Sequence, residues 1–335
     1  MSEQKPYQKL AQEIGAGDSK FIPDIFESLV DEDEAKLLLA AAPPATVPEI
    51  AEKSGLAEEK IESMIDTLFK KGLIFKSRKP AGIRYYRVRS VPQMHDSTAV
   101  MIDPPKKMLD LWKQWMAEEW PEKIKVLEEQ LPNAVIRVIP VNITMEHDTQ
   151  IYAFDDVKNL VEEARNLAVT PCSCRVIDGS CGASVDVCLQ FNKAADYAIE
   201  RGTGRQLTKE ETIEMLKKCE EEGLVHVGSN ARSIGHVICN CCSDCCLNWP
   251  SIRGGLGKFV IPSRFAAVVD EEICSSCEIC LDRCFFDAIS MEGENDTAVI
   301  DAEKCMGCGL CLVTCPDEAI SLKEVRPADF VPPTH

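Results

Sequence analysis

The chain has 335 residues, 45% of them hydrophobic, with a formal net charge of −18 and 18 cysteines. That length and composition fit a soluble, globular protein of about two or three domains. The N-terminus MSEQKPYQKL lacks a charged-then-apolar signal pattern, and the longest apolar stretch, LLLAAAPPATV, is too short and too proline-broken to span a bilayer, so a cytoplasmic location is expected. Cytosolic thiols stay reduced, so grouped cysteines point to metal or iron–sulfur ligation and away from a disulfide framework. Cys219, alone in ETIEMLKKCEEEG, is read as a buried small hydrophobe.

From the N-terminus, TVPEIAEKSGLAEEKIESMIDTLFKKGLI predicts two helices. The first opens with a capping box from Thr46 to Glu49, and a Ser54-Gly55 turn leads to the second, with Ile61, Ile65 and Leu68 on one face. LIFKSRKPAGIRYYRV predicts two strands around a Lys79-Pro80-Ala81-Gly82 turn. Helix, turn, helix and hairpin over residues 25–92 resemble a winged-helix domain. The segment 70–90 carries Lys70, Lys71, Lys76, Arg78, Lys79, Arg84, Arg87 and Arg89 with no acid, which suits phosphate contacts. The helix that would enter a major groove carries Glu58, Glu59, Glu62 and Asp66, which repel phosphate, so docking of a protein partner is expected in preference to DNA. Leu111, Trp112, Trp115 and Trp120 then form an aromatic stripe at helical spacing, read as core, with a break at Trp120-Pro121.

AVIRVIPVN, read as a strand, begins the middle region, 93–265, expected to be a mostly helical, cysteine-rich domain. Cys172, Cys174, Cys181 and Cys188 form a C-x-C-x6-C-x6-C run of no common ferredoxin spacing. If Cys172 and Cys174 are extended they project on one side, about 6.6 Å apart, which suits two corners of a cubane. A helical pair follows, the second helix opened by a capping box from Thr208 to Glu211. Then HVICNCCSDCCLNWP delivers Cys239, Cys241, Cys242, Cys245 and Cys246. The register Cys239-x2-Cys242-x2-Cys245 is ferredoxin-like, leaving Cys241 or Cys246 as a fourth ligand or outside. Nine cysteines are thus expected to hold one or two further iron–sulfur clusters. Arg175, His226, His236 and Asn240 lie beside them, as substrate-orienting groups or as donors and satisfied core residues.

At the C-terminus CSSCEICLDRC (274–284) and CMGCGLCLVTC (305–315) repeat C-x2-C-x2-C-x3-C with every cysteine displaced by 31 positions. Val269-Asp270 recurs as Ile300-Asp301 and Ala288-Ile289-Ser290 as Ala319-Ile320-Ser321, so the unit is duplicated. The span 266–322 resembles the bacterial dicluster ferredoxins. In that resemblance the fourth cysteine of each run crosses to the other cluster: Cys274, Cys277, Cys280 and Cys315 hold one [4Fe–4S] centre, and Cys305, Cys308, Cys311 and Cys284 the second. Pro316 follows Cys315 as in the family, but Phe285 follows Cys284, which puts the surroundings of the second centre in doubt. Zinc pairs are the competing reading, since C-x2-C is also a zinc spacing.

The fold expected is α+β and multidomain: a winged helix (25–92), the middle domain (93–265) and a ferredoxin-like dicluster domain (266–322). Residues 266–321 carry a net charge of −11, a face that would steer a basic redox partner. TPCSCR, GLVH and CNCC ahead of the repeat resemble iron–sulfur proteins of anaerobic bacteria and archaea, which implies anaerobic redox metabolism without naming a substrate. An electron-transfer protein or subunit is expected. The alternatives are a reductase with the middle cluster as active site and an iron–sulfur-sensing transcription regulator.

Overall fold

The protein is described by a computed structural model covering residues 5–141, 155–233, 235–249, 259–292 and 296–333. The chain forms two compact units, one of residues 1–122, 173–179 and 201–203, the other of 123–172, 180–200 and 204–335.

In the first unit, α1 (Pro6–Glu13), α2 (Ile22–Leu29), α3 (Glu32–Ala40), α4 (Val47–Ser54) and α5 (Glu58–Lys71) precede a hairpin of β1 (Ile74–Lys79) and β2 (Gly82–Arg87). Capping boxes open α3 (Asp31 with Glu34) and α4 (Thr46 with Glu49), satisfying backbone N–H groups that have no partner inside the helix. On α5, Ile61, Met64, Ile65, Leu68 and Phe69 recur at helical spacing and are buried. Lys79 pairs with Gly82, so Pro80 and Ala81 make a two-residue turn, and Ala45 bridges to Tyr85 on the hairpin's edge. Next come α6 (Val91–Ala99) and α7 (Lys106–Glu118), where Trp112 and Trp115 are buried edge to face with ring centres 5.4 Å apart. The aromatic stripe is core, and the break falls where expected, with α8 (Trp120–Gln130) starting at Trp120.

The second unit corrects the mostly helical expectation for the middle region. Its centre is a seven-stranded sheet in the order β6-β4-β5-β8-β7-β3-β9. The strands are β3 (Ile136–Val138), β4 (Leu167–Pro171), β5 (Asp186–Phe191), β6 (Arg205–Leu207), β7 (Val225–Ser229), β8 (Val237–Cys241) and β9 (Val260–Ile261), antiparallel except where β3 meets β9. Each strand spans only two to six residues, and cysteines occupy alternate positions on one face, so no long apolar alternation announces them. The helices between them, α9 (Val157–Glu163), α10 (Ser173–Asp178, in the first unit), α11 (Lys193–Arg201) and α12 (Lys209–Glu222), carry the stronger local signals.

One sheet face places Leu167, Val169, Leu189, Phe191 and Ile238 against Leu160 and Val161 of α9 and Leu216 of α12. The other places Val138, Val225, Val227, Cys241 and Val260 against Met306 and Leu310 of the C-terminal repeat. In that repeat β10 (Phe265–Val269) pairs with β13 (Ile320–Glu324) and β11 (Ile289–Glu292) with β12 (Thr297–Ile300), both antiparallel, with short helices at Ile279–Arg283 and Leu310–Thr314. A buried ion group joins repeat and sheet. Asp155 accepts from Arg264 Nη1 at 2.9 Å and lies 3.1 Å from Arg137 Nη1, while Arg264 also pairs with Glu324. Among the described residues no helix is long and apolar enough to cross a membrane.

Candidate metal centres

The two cysteine loops of the repeat are built by the same backbone. Left-handed residues occur 31 positions apart: Ser276 and Gly307 (φ 57° and 61°), Glu278 and Gly309 (63° and 81°), Asp287 and Glu318 (52° and 54°). The Cys274 N–H donates to Asp270 O and the Cys305 N–H to Asp301 O; reciprocally, the Asp270 N–H donates to Ala319 O and the Asp301 N–H to Ala288 O. These turns wrap each loop around a cavity. Cys274, Cys277, Cys280 and Cys315 line one; Cys284, Cys305, Cys308 and Cys311 line another. In both, the fourth cysteine of one run joins the first three of the other. Residues 267–322 match the family of 4Fe-4S dicluster domains. No curated protein and no solved structure matches the chain.

The dicluster domain's two cavities differ in surroundings. Around the first, Cys277 is exposed, Glu278 and Asp317 line the cavity, and Ile273 and Ile279 stand 50% and 45% exposed in a stretch that also exposes Glu271, Glu272 and Asp282. The second is pressed against the middle sheet. The Val141 N–H donates to Cys308 O at 2.8 Å, Ser263 Oγ donates to Gly307 O at 2.6 Å, and a Cβ on Gly307 would lie 2.0 Å from Phe265 O. Space is what requires glycine there, since Ser276 holds the same left-handed φ in the first loop. Burial pushes the Cys308 thiol up to about 12 and raises Cys311 well above its usual range. Bare thiolates are therefore disfavoured in this cavity, and iron would supply the positive charge that ionised sulfurs need. The donor set fits: four thiols per cavity, with the Ala319 and Ala267 N–H groups aimed at Cys315 and Cys305 Sγ at 3.3 and 3.5 Å.

Phe285, the departure from the family's proline, has a packing role. Its ring is 4.5 Å from Phe286 and 5.6 Å from Trp249, and Phe286 is 5.7 Å from Trp249. This aromatic group belongs to one apolar cluster with Cys308, Cys241 and Cys246. The buried cavity of the dicluster domain thus abuts the middle region's cysteines.

Those cysteines are not brought together as one site. Strand parity places Cys188, Cys239 and Cys241 on the face turned toward the dicluster domain, because Leu189 pairs with Ile238 and Gln190 with Val237. Cys246 Sγ lies 3.3 Å from Cys241 Sγ, and contacts with Cys239 and Cys246, together with burial, raise the Cys241 thiol well above its usual range. The opposing set comprises Cys181, Cys242 and Cys245. Cys242 and Cys245 are buried with Val187, Leu224 and Cys219, and Cys172 and Cys181 pack against them. For Cys181, desolvation raises the pKa, but hydrogen bonds from Ala183, Cys245 and Cys242 outweigh it and lower the value overall. The expected triple Cys239-Cys242-Cys245 is therefore divided. Cys219, read from sequence as a simple core residue, lies beside Cys242 and Cys245; nothing in its helical context distinguishes it.

The extended reading of Cys172 and Cys174 is also corrected. Pro171 ends β4 and a helix starts at Ser173, so Cys174 sits on α10 in the first unit, while Cys172 stays with the second. Arg175 is buried on α10. His226 and Asn240 form an enclosed network: His226 Nδ1 is 2.5 Å from Asn240 Oδ1, His226 Nε2 is 3.3 Å from Glu220 Oε1, and Asn240 Nδ2 donates to Val187 O at 2.5 Å. All three side chains are sealed from solvent, which makes them core partners across β7 and β8 with no access for a substrate. His236 is exposed.

Part of the basic stretch of the first unit is neutralised by carboxylates. Lys70 pairs with Asp66, Lys71 with Glu34, Arg84 with Glu49 and Arg87 with Glu13, while Lys76 lies 3.7 Å over Phe69 and Arg89 4.3 Å over Tyr86. Glu58, Glu59, Glu62 and Asp66 stand exposed on α5. Duplex DNA is accordingly expected to bind the intact chain no more than weakly at low salt in a mobility-shift titration. Tight binding with a steep salt slope would restore the regulator reading.

Proposed function

We propose that the chain is an electron-transfer protein, or the electron-transfer subunit of a redox complex, in which the first cubane meets the partner and the second passes electrons into the middle region. Cys274, Cys277, Cys280 and Cys315 hold the outer cubane; Cys305, Cys308, Cys311 and Cys284 hold the inner one. The observation that carries this reading is the asymmetry between the cavities. One opens at an exposed thiol ringed by carboxylates with two exposed isoleucines, and the other shares an apolar cluster with Cys241 and Cys246. An acidic rim around an apolar centre suits a transient partner with a basic docking face. Cys188 and Cys239, on the sheet face turned toward the dicluster domain, together with one of Cys241 and Cys246, whose sulfurs at 3.3 Å are too close to take two corners of one cube, are the ligand set for a further iron–sulfur cluster. The division into 25–92, 93–265 and 266–322 assigns redox chemistry to the last two segments and partner docking to the first. The order of helices and hairpin in the first supports a winged helix used for protein contacts.

Iron and acid-labile sulfide analysis of anaerobically purified protein tests the proposal. About eight of each per chain are expected from the two cubanes and about twelve if the sheet-face thiols hold a third cluster. Cys277→Ser is expected to perturb the EPR signal of a cluster reached by external reductants, and Cys308→Ser that of a shielded one. Fewer than about four irons per chain, or equal access of external reagents to both clusters, would sink the assignment.

A further inference from the structure

The stretch CNCCSDCC contains two adjacent cysteine pairs, and the fold splits both. Cys241 and Cys246 join the apolar cluster facing the dicluster domain, whereas Cys242 and Cys245 join the cluster around Val187. On that second side the Sγ atoms of Cys181, Cys242 and Cys245 and a carboxylate oxygen of Asp244 all lie within 4.8 Å of one another. From these positions we infer a mononuclear zinc site with Cys181, Cys242, Cys245 and Asp244 as its ligands, separate from every iron–sulfur cluster. The inference stands apart from the electron-transfer reading and removes Cys181, Cys242 and Cys245 from the iron–sulfur ligands expected from sequence.

Scale decides between one ion and a cube. A tetrahedral zinc with Zn–S bonds near 2.3 Å and a Zn–O bond near 2.0 Å holds its donors roughly 3.5–4 Å apart. A cubane interposes an Fe–Fe edge between any two of its thiolates and needs a wider ring. The dicluster domain provides the internal comparison: its eight cysteines line two cavities without closing to this spacing, and among the described residues no other group of three or more His, Cys, Asp or Glu side chains brings its donors this close. Three thiolates and one carboxylate also carry more negative charge than a divalent ion cancels. The exposure of Asp244 places the surplus at the solvent side, while Cys242 and Cys245 are buried. The loop is set for this arrangement. The Cys245 N–H donates to Asp244 Oδ1 at 3.1 Å, Ser180 Oγ lies 3.7 Å from Cys245 Sγ, and the Trp249 indole N–H donates to Cys242 O. The ion would staple the 180–185 loop to the end of β8, and so fix the direction in which Cys241 and Cys246 point.

Full-length protein purified without chelator is expected to hold about one zinc per chain, with an X-ray absorption edge fitted by three sulfurs near 2.3 Å and one oxygen near 2.0 Å. In Cys242→Ser/Cys245→Ser, zinc is expected to fall below about a tenth per chain while iron, sulfide and the dicluster EPR signals stay at parental levels. Asp244→Ala is expected to keep the zinc but release it to a chelator at least about tenfold faster. Parental protein without zinc overturns the inference, as does a double variant that loses about four irons and four sulfides. A sulfur-only shell with no oxygen overturns the role of Asp244. Since iron and zinc are counted separately, failure here leaves the two-cubane assignment standing, and failure of that assignment leaves the zinc site to be judged by its own edge.

Discussion

Gly307→Ala is expected to cost roughly 3 kcal/mol or more and to empty the inner cubane site, while Ser276→Gly at the equivalent position of the outer loop changes stability by less than about 1 kcal/mol. The two residues have nearly the same left-handed φ, 61° and 57°, and serine already adopts it at 276, so backbone conformation alone would penalise alanine at 307 only lightly and would favour glycine at 276. The difference lies in what surrounds them. A methyl on Gly307 would lie 2.0 Å from Phe265 O and 2.4 Å from Ser263 Oγ, at the start of the strand that anchors the repeat, and backbone cannot rotate aside as a long side chain does. Relief requires the loop to lift from the sheet, which breaks the Val141 N–H bond to Cys308 O and moves a ligand. Thermal unfolding and iron content of the two variants test this. A Gly307→Ala protein with full iron and a midpoint within about 2 °C of the parent would refute the packing argument.

Asp155→Ala is the second large effect, with an expected loss of about 3–5 kcal/mol. Asp155 is fully buried between Arg137 on β3 and Arg264 just ahead of β10, both also buried. Removing the carboxylate takes a charged partner from two buried guanidinium groups, of which Arg264 keeps its pair with Glu324, and the cost is dominated by the desolvated charge left at Arg137. It follows that Arg137→Met, added to Asp155→Ala, should recover part of the loss by deleting that charge. Chemical denaturation of the single and double variants supplies the comparison; a double variant less stable than Asp155→Ala would show that the arginine's packing, and not its charge, governs this region.

What could be read from sequence divides along physical lines. The C-terminal repeat was fully legible, because cubane ligation imposes spacing on the chain itself, and the 31-residue offset carries through to paired left-handed residues and hydrogen bonds. The capped helices α4 and α12 were legible too, since a capping box is local. The middle sheet was hidden: its strands pair residues far apart, and the alternation on β8 reads as Val237, Cys239, Cys241 against Ile238 and Asn240, a pattern that spacing rules take for a ligand run. Sorting of the adjacent cysteines was out of reach for the same reason, as it depends on which side of a strand each one falls. An acid between two cysteine pairs, Asp244, is the one local sign in the sequence of the zinc site proposed above. The charge pairing of the basic stretch from Lys70 to Arg89 is not legible locally, because Glu13 and Glu34 lie well upstream of the Arg87 and Lys71 they pair with.

The contrast between the two ligand loops bears on how such a chain changes over generations. Duplication began with equivalent halves, yet one now has Gly307 wedged against neighbouring backbone and Gly309 against the Val141 and Leu322 side chains, and the other has serine and glutamate in the same turns. The wedged half is frozen by its neighbours. The open half is free to drift, and its side chains form the rim that a redox partner would touch. If the electron-transfer reading proposed above holds, substitutions around Ser276 and Glu278 would change which donor is recognised while the inward-facing half is inherited intact.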